Sequence, residues 1–280
     1  MHIKFYGVRG SIATPGADTV KYGGNTACVL VESDNGTLFI LDAGTGIKKL
    51  GDDLIKRSNL SNINLMFSHL HWDHIQGFPF FAPIHRKNQK VHLMSAHLDE
   101  EKLQSVLAQM TDPHFPVPSD QLEAEVEVTP NIPEVLEIED VTISTLALNH
   151  SGGGSAYKFQ STKGSLVYAT DNELFPPSET RTSYTEWLEF VKGVDYLIHD
   201  AMYLETELEK IHGWGHSLIS QTLKLAGEAG VANVILFHHD PARTDKQLDE
   251  IKQNSREWMA KNYPECGVYL AKEGDQYDIV

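Results

Sequence analysis

The chain has 280 residues, of which 41% are hydrophobic, and it carries a formal net charge of −16. This length allows one large core, and so negative a charge argues against a protein that binds long nucleic acids by neutralising many phosphates. No basic segment followed by an apolar run opens the chain, and no stretch approaches the roughly 18 apolar residues of a membrane span. The two cysteines are too few for a disulfide framework, so we expect a cytoplasmic protein.

The first predicted elements are three strands and a helix. Apolar patterns predict strands at 3–7, 26–32 and 37–41, and Asp34-Asn35-Gly36 between the last two is typical of a hairpin turn. Helical spacing follows at 46–58. Asp42 stands between a strand and a glycine-rich segment, which by itself indicates only a turn.

A histidine-rich stretch follows the next predicted strand, 63–67. It reads Ser68-His69-Leu70-His71-Trp72-Asp73-His74. Imidazole and carboxylate together favour zinc, manganese, iron or nickel over calcium, and loops at strand ends commonly carry function. His69 and His71 can turn toward one ion while Asp73 and His74 reach a second. A solvated polar loop is the alternative, but apolar residues interleave these polar ones, so the stretch predicts a metal site.

A stiff loop follows a strand predicted at 91–95 and a helix predicted at 100–110. Residues 111–118 contain three prolines, between which His114 and Phe115 are expected to protrude. One interpretation is a rigid connector. The other is a lid or a dimer contact near the site, because an aromatic side chain on a stiff loop can stack on a base.

The remaining predicted strands share a pattern, since several end in His or Asp. Strands are predicted at 124–128, 135–138, 141–148, 165–169, 196–198 and 234–237, with helices at 217–229 and 244–260. His150, Asp171 and His238 follow three of these strands, and His239 is next to the last. No linker or low-complexity segment divides the chain, so we expect one domain over 1–280.

His69, His71, Asp73 and His74 form a His-x-His-x-Asp-His pattern, by which the chain resembles the metallo-β-lactamase-fold hydrolases. The resemblance implies an α/β protein with an αββα sandwich that binds two divalent transition-metal ions, zinc foremost, with manganese or iron as alternatives. It implies that one ion is bound by His69, His71 and His150, the other by Asp73, His74 and His238, and that Asp171 bridges them. It also places Asp42 behind the ligands. His238 is preferred to His239 because it directly follows the strand.

A second pattern indicates a branch of this family. Gly213-Trp214-Gly215-His216-Ser217 resembles the Gly-His-Ser-Thr segment of ribonuclease Z and related phosphodiesterases, in which a histidine outside the metal shell serves the scissile phosphate. Leu218 replaces the threonine, and the long arm that ribonuclease Z uses to hold tRNA is missing. The segments 8–11 and 23–26 and the loop 111–118 resemble phosphodiesterases of this fold that act on cyclic nucleotides.

The resemblance therefore implies a dinuclear phosphodiesterase that hydrolyses small cyclic or linear nucleotides with a hydroxide held between the ions. Catalysis is assigned to Asp73 and His216. Residues expected to contact the substrate are Arg9, Asn25, His114 and Phe115.

Two other functions stay open at this point. A thioesterase or lactonase of the same fold would use a similar metal cluster without need of His216. A non-catalytic metal-bearing sensor or binding module would be favoured if one of the ligands were missing. The expected partner is a small nucleotide or other small phosphodiester, with no long nucleic acid and no membrane. A homodimer is left open.

Overall fold

The structure, a computed structural model, describes residues 1–58, 60 and 62–279. Within these residues the strands form two sheets of seven strands each. In the first sheet the order is β14-β1-β2-β3-β4-β5-β6. Its strands are β1 (His2–Gly7), β2 (Cys28–Glu32), β3 (Leu38–Leu41), β4 (Ile63–Met66), β5 (Lys90–Met94), β6 (Glu125–Thr129) and β14 (Gln276–Asp278).

The second sheet repeats this plan in the order β13-β12-β11-β10-β9-β8-β7. Its strands are β7 (Val135–Ile138), β8 (Val141–Ala147), β9 (Ser155–Ser161), β10 (Gly164–Ala169), β11 (Tyr196–Asp200), β12 (Asn233–Phe237) and β13 (Gly267–Leu270). Each sheet is antiparallel at one end and parallel at the other, with the change at β3 in the first sheet and at β10 in the second. The two sheets are thus built alike.

Helices cover the outer faces of both sheets. The α-helices are α1 (Ile47–Leu54), α2 (Trp72–Ile75), α3 (Glu100–Ala108), α4 (Tyr184–Phe190), α5 (Leu208–Ile211), α6 (Ile219–Glu228) and α7 (Asp245–Asn262). Helices α1 and α3 pack on the first sheet, and α4, α6 and α7 on the second. None of the helices in the described residues combines the length and the apolarity that a membrane span requires.

The core has three apolar layers because successive side chains of a strand point to opposite faces. In β3, Phe39 and Leu41 enter the layer between the two sheets, where the Phe39 ring meets Phe159 edge-on at 5.3 Å. Their neighbours Leu38 and Ile40 enter the layer beneath α1 and α3. A third layer lies between the second sheet and its helices. The order helix, sheet, sheet, helix confirms the predicted αββα sandwich.

Several elements differ from their sequence predictions. Strand β9, helix α4 and the C-terminal strands β13 and β14 were not predicted. Helix α4 begins with a capping box in which Ser183 and Glu186 bond each other's backbone amides, a pattern legible in the sequence. Strand β11 continues two residues beyond its predicted end, to Asp200. That extension places Asp200 at the edge where the site forms.

Candidate metal centre

The histidine-rich stretch leaves the first sheet at the end of β4 and turns into the short helix α2. His71 precedes this helix, and Asp73 and His74 lie in it. Because α2 begins at Trp72, its first turn directs the side chains of Asp73 and His74 toward the interior, and both are buried. His69, before the helix, is also buried, whereas His71 is exposed.

Loops of the second sheet bring three further side chains to this stretch. His150 follows β8, Asp171 follows β10 and His238 follows β12. All three side chains are buried. The structure thus brings together, from both sheets, the seven residues that the sequence singled out as ligands.

The seven side chains form two sets that share Asp171. Ligand atoms of His69, His71, His150 and Asp171 lie within 4.8 Å of one another, and so do those of Asp73, His74, Asp171 and His238. Asp171 Oδ1 faces the first set, 3.6 Å from His69 Nε2 and 3.9 Å from His150 Nε2. Its Oδ2 faces the second set, 3.1 Å from His74 Nε2 and 3.2 Å from His238 Nε2. A carboxylate with one oxygen in each set has the geometry of a bridging ligand.

The residues fit divalent transition-metal ions. The donors are imidazole nitrogens and carboxylate oxygens, the mixture that such ions prefer. His69 Nε2 is buried and has no hydrogen-bond partner among the described residues, as expected of a nitrogen that serves an ion. Burial lowers the pKa of the His69 imidazole and lowers that of His150 to about 4, so both rings are in the neutral form that binds metals.

The carboxylates are charged despite their burial. Burial acts to raise the pKa of Asp171, but His238 and His74 outweigh it and lower that pKa well below the usual range. Burial likewise acts to raise the pKa of Asp73, and His74 and His238 lower it. The centre therefore offers two buried negative charges to cations.

Asp42 lies behind the second set. Its Oδ2 is 2.9 Å from His74 Nδ1 and accepts hydrogen bonds from Tyr168 Oη and Ser68 Oγ, both at 2.7 Å. Its Oδ1 accepts the Ser68 amide at 2.7 Å. These contacts orient the His74 ring so that Nε2 faces the site, and such support raises the affinity of a ligand for metal.

Glu173 supports the first set through the backbone. Its buried carboxylate accepts the amides of Gly213 and Gly215, both at 2.9 Å. The Gly215 carbonyl in turn accepts His150 Nδ1–H at 2.9 Å, which turns Nε2 toward the ligand set. Gly215 has a φ of 87°, and a Cβ on it would lie 2.1 Å from His150 Nδ1, so no other residue fits this position.

His216 lies beside the second set and pairs with Asp200. The His216 Nδ1 to Asp200 Oδ2 distance is 2.7 Å, and the His216 ring stacks on His238 with centroids 5.1 Å apart. Burial acts to lower the pKa of His216, but the Asp200 carboxylate outweighs it and raises that pKa to about 9. Asp200, His216 and His238 also lie close enough to hold an ion. We assign the first two to a hydrogen-bonded pair, because Asp200 Oδ1 is occupied by the amides of Met202 and Ser217.

Two predicted substrate contacts, Arg9 and Asn25, bond to groups of the protein itself. The Arg9 guanidinium is buried and donates to the carbonyls of Gly23, Asp240 and Arg243, so it ties three loop segments together. Asn25 is engaged by Glu273 and by the Thr45 hydroxyl. Both predictions took a polar residue in a loop as free for a ligand, whereas groups of the protein form most of its hydrogen bonds, and the Arg9 Nη2 that has no partner among the described residues is buried.

His239 and the loop 111–118 are also placed by the structure. His239 Nε2 bonds the Ala271 carbonyl at 2.8 Å, and burial lowers its pKa to about 3, so His238 is the residue in the ligand set. His114 and Phe115 line a cleft with Leu70 and Trp72, which belong to the histidine-rich stretch.

Sequence reasoning did not single out Asp200, Glu173 or Ser11. The Ser11 amide donates to Asp73 Oδ2 at 2.7 Å. Asp200 could have been predicted, because it follows His199 at the end of an apolar run, as Asp171 follows another. The contacts of Glu173 and Ser11 could not have been predicted from the sequence, since they depend on which groups the fold brings near their side chains or backbone amides.

A family model described as "Beta-lactamase superfamily domain" matches residues 37–239. This range contains every ligand of both sets. Among curated proteins, ribonuclease Z of Halalkalibacterium halodurans is 32% identical over 75 residues, which are 27% of this chain and 24% of that enzyme. The matched stretch thus spans about a quarter of that relative.

Two solved structures resemble the chain over nearly its whole length. The metallo-beta-lactamase fold protein YhfI from Bacillus subtilis superimposes with a TM-score of 0.68 and 16% identity, covering 99% of this chain and 98% of that one. A diphosphatase from the PhnP family also gives 0.68, with 19% identity and coverage of 100% and 98%. At such identities these likenesses show a shared fold.

Proposed function

This chain belongs to the beta-lactamase superfamily, whose fold it shares with metal-dependent hydrolases, and on that basis we propose that it hydrolyses small phosphodiesters. Cyclic or linear nucleotides are the proposed substrate class. The observation that carries the proposal is the Asp200–His216 pair at 2.7 Å, beside a centre that can hold two ions. A hydrolase of carboxyl esters or thioesters would have no need of such a pair next to its metal ligands.

The residues that would hold the ions are the two sets that share Asp171. We propose zinc foremost, with manganese or iron as alternatives, because the donors are imidazole and carboxylate. When bound, two such ions would activate water and neutralise charge on a phosphate. Asp42 and Glu173 keep His74 and His150 in the orientation that this binding needs.

His216 is the proposed proton donor. Its Nδ1–H is held by Asp200, so the proton destined for the leaving oxygen would be carried at Nε2. The Asp200 carboxylate favours the protonated ring. Stacking on His238 sets the plane of the His216 ring against the ligand set. A phosphodiester benefits from such an acid because its leaving oxygen gains charge as the bond breaks.

Relatives and composition support a small phosphate substrate. The names ribonuclease and diphosphatase both denote cleavage at phosphorus, and the net charge of −16 disfavours a long nucleic acid. We include a cytoplasmic location in the proposal, because both cysteines, Cys28 and Cys266, are free and buried. No membrane partner is proposed, and a homodimer is compatible with the site.

The test compares His216→Ala with the wild type on two phosphodiesters, one with an alkoxide leaving group and one with a nitrophenolate. We expect the variant to keep its metals and its fold but to lose about 10²- to 10⁴-fold in turnover of the first substrate. The loss should be much smaller with nitrophenolate, which departs without a proton. The control is His2→Ala, a histidine of β1 that pairs with Asp278 and lies outside both ligand sets.

Three outcomes would contradict parts of the proposal. Equal losses on both substrates would make His216 a phosphate-binding group instead of an acid. Full activity of His216→Ala on both would remove it from the mechanism. Turnover of thioesters or lactones, with none of any phosphodiester, would overturn the substrate class.

A further inference from the structure

An aromatic cleft opens next to the histidine-rich stretch. It has a volume of about 660 Å³, within the range of small-molecule pockets. Its walls come from the metal-ligand loop, from the segment around Phe80, from α3 and from the loop 111–118. The lining residues that matter here are Leu70, Trp72, Phe80, Gln109, His114 and Phe115.

The lining is mostly apolar and aromatic, with Gln76, Ser105, Gln109 and His114 as its polar members, and it contains no Asp, Glu, Lys or Arg. Two large rings are open to solvent, since Trp72 is 69% exposed and Phe80 is 60% exposed. Exposed aromatic rings grouped in one concave place are uncommon and mark a binding surface. In a chain of charge −16, a cleft without charged side chains suits a neutral, flat group.

The cleft borders the segment of the chain that carries the metal ligands. Leu70 lies between the ligands His69 and His71, and Trp72 lies between His71 and Asp73. Consecutive Cα atoms are about 3.8 Å apart, so the backbone of Trp72 is one residue away from each of two ligands. This proximity favours part of a substrate whose phosphate lies at the ions as the occupant, over a separate ligand.

The walls are already in place. The Phe80 and Phe115 rings pack edge to face, with centroids 5.5 Å apart and an interplanar angle of 82°. The amide of Phe115 bonds the Thr111 carbonyl at 2.9 Å, which holds the loop in shape. Gln109 Nε2 donates to the carbonyls of Ile75 and Val106, which joins α3 to the segment after the ligands. Rigid rings lose little entropy when a flat group stacks on them.

We propose that this cleft binds the nucleobase, or an equivalent aromatic ring, of the substrate and so determines which phosphodiesters the enzyme takes. The inference rests on the proposed function, because it assumes that the phosphate lies at the ions. Trp72 and Phe80 supply the stacking faces, and Phe115 supports Phe80. Stacking tolerates any base, so selection would be for an aromatic substituent and not for one base.

The experiment measures equilibrium binding to the metal-loaded protein. The probes are the four common nucleoside 5′-monophosphates and ribose 5-phosphate, which has the same phosphate and sugar without a base. We expect at least one nucleotide to bind about 5- to 150-fold more tightly than ribose 5-phosphate, the range for one stacked base. Trp72→Ala and Phe80→Ala should reduce this advantage toward unity and leave the affinity for ribose 5-phosphate unchanged.

One control variant and the position of Phe80 keep the test decisive. Trp258→Ala removes a partly exposed tryptophan from α7, outside the cleft, and should preserve the advantage. Phe80 is outside the ligand stretch, so Phe80→Ala answers the question even if Trp72→Ala loses metal. Equal binding of all five probes to the wild type, or an advantage that persists in both variants, would overturn the proposal.

Two further outcomes separate the cleft from the reaction. Base-dependent binding without cleavage of any phosphodiester would contradict the proposed function and support the cleft. A wild-type dimer that Phe80→Ala dissociates, with no base-dependent binding, would make the cleft a subunit contact and overturn the inference.

Discussion

Three residues of the centre have positive φ angles, which residues other than glycine rarely adopt. The φ angles are 61° at Asp42, 49° at Asp171 and 60° at His238. Such conformations cost about 1–3 kcal/mol each and persist where the surroundings enforce them. All three residues directly follow a buried strand or lie within two residues of its end, so the unusual turn directs the side chain into the site.

Asp171 is the residue on which both ligand sets depend. We expect Asp171→Ala to lose most of both ions, because one oxygen of the bridge faces each set. Asp73→Ala is the matched variant, since Asp73 belongs to one set and should cost mainly one ion. Elemental analysis of the purified proteins measures both. One ion per wild-type chain, unchanged in Asp171→Ala, would contradict the dinuclear assignment.

At the scale of elements, the centre exists because strand ends from two sheets meet. The loops after β4, β8, β10 and β12 each contribute at least one ligand. A segment outside these loops orients one of the ligands. The turn at 213–215 orients His150, and Glu173 holds that turn by accepting hydrogen bonds from two of its backbone amides.

Glu173→Gln tests this support. The amide group of glutamine cannot accept the second backbone N–H, so the turn loosens and His150 loses its fixed orientation. We expect metal affinity about 10- to 100-fold weaker, the usual effect of removing a group that orients a ligand. Competition with a chromogenic chelator measures it. Glu179→Gln, an exposed change in the same region, should leave the affinity unaltered. If Glu173→Gln bound metal as tightly as Glu179→Gln and the wild type, the turn at 213–215 would not need the Glu173 carboxylate.

For the whole molecule, the ions would join the two sheets. His69, His71, Asp73 and His74 leave the first sheet, while the other ligands leave the second. Ions that bind only this folded arrangement stabilise it by mass action, and a free concentration a thousandfold above Kd contributes about 4 kcal/mol.

Removing an ion held this tightly should therefore lower the melting temperature by about 8–16 °C, since a change of 1 kcal/mol corresponds to about 2–4 °C in chains of about 150–250 residues. Differential scanning calorimetry with and without a chelator measures the shift. The melting temperature of Asp171→Ala should change little when the chelator is added. If the chelator left the melting temperature of the wild type unchanged, the ligands would be held in place without ions.

From the sequence alone, the resemblance to the family predicted the fold and the seven residues that the structure brings together in two sets. This was possible because such ions take their ligands from few residue types, here His and Asp, and because a short buried strand followed by such residues is a local pattern. Strand β3 is a run of four apolar residues, and this local pattern predicts a buried strand, but which layer each side chain enters depends on how the sheets and helices pack.

Only the tertiary structure decided which polar residues are free and which are occupied. Arg9 bonds carbonyls more than 230 positions away, and the amides bound by Glu173 lie about 40 positions away. Asp200 became the partner of His216 because β11 runs on to it. The aromatic cleft likewise joins residues from 70 to 115. Contacts such as these depend on how strands and loops pack across long separations in the chain, and no local pattern of residues encodes that packing.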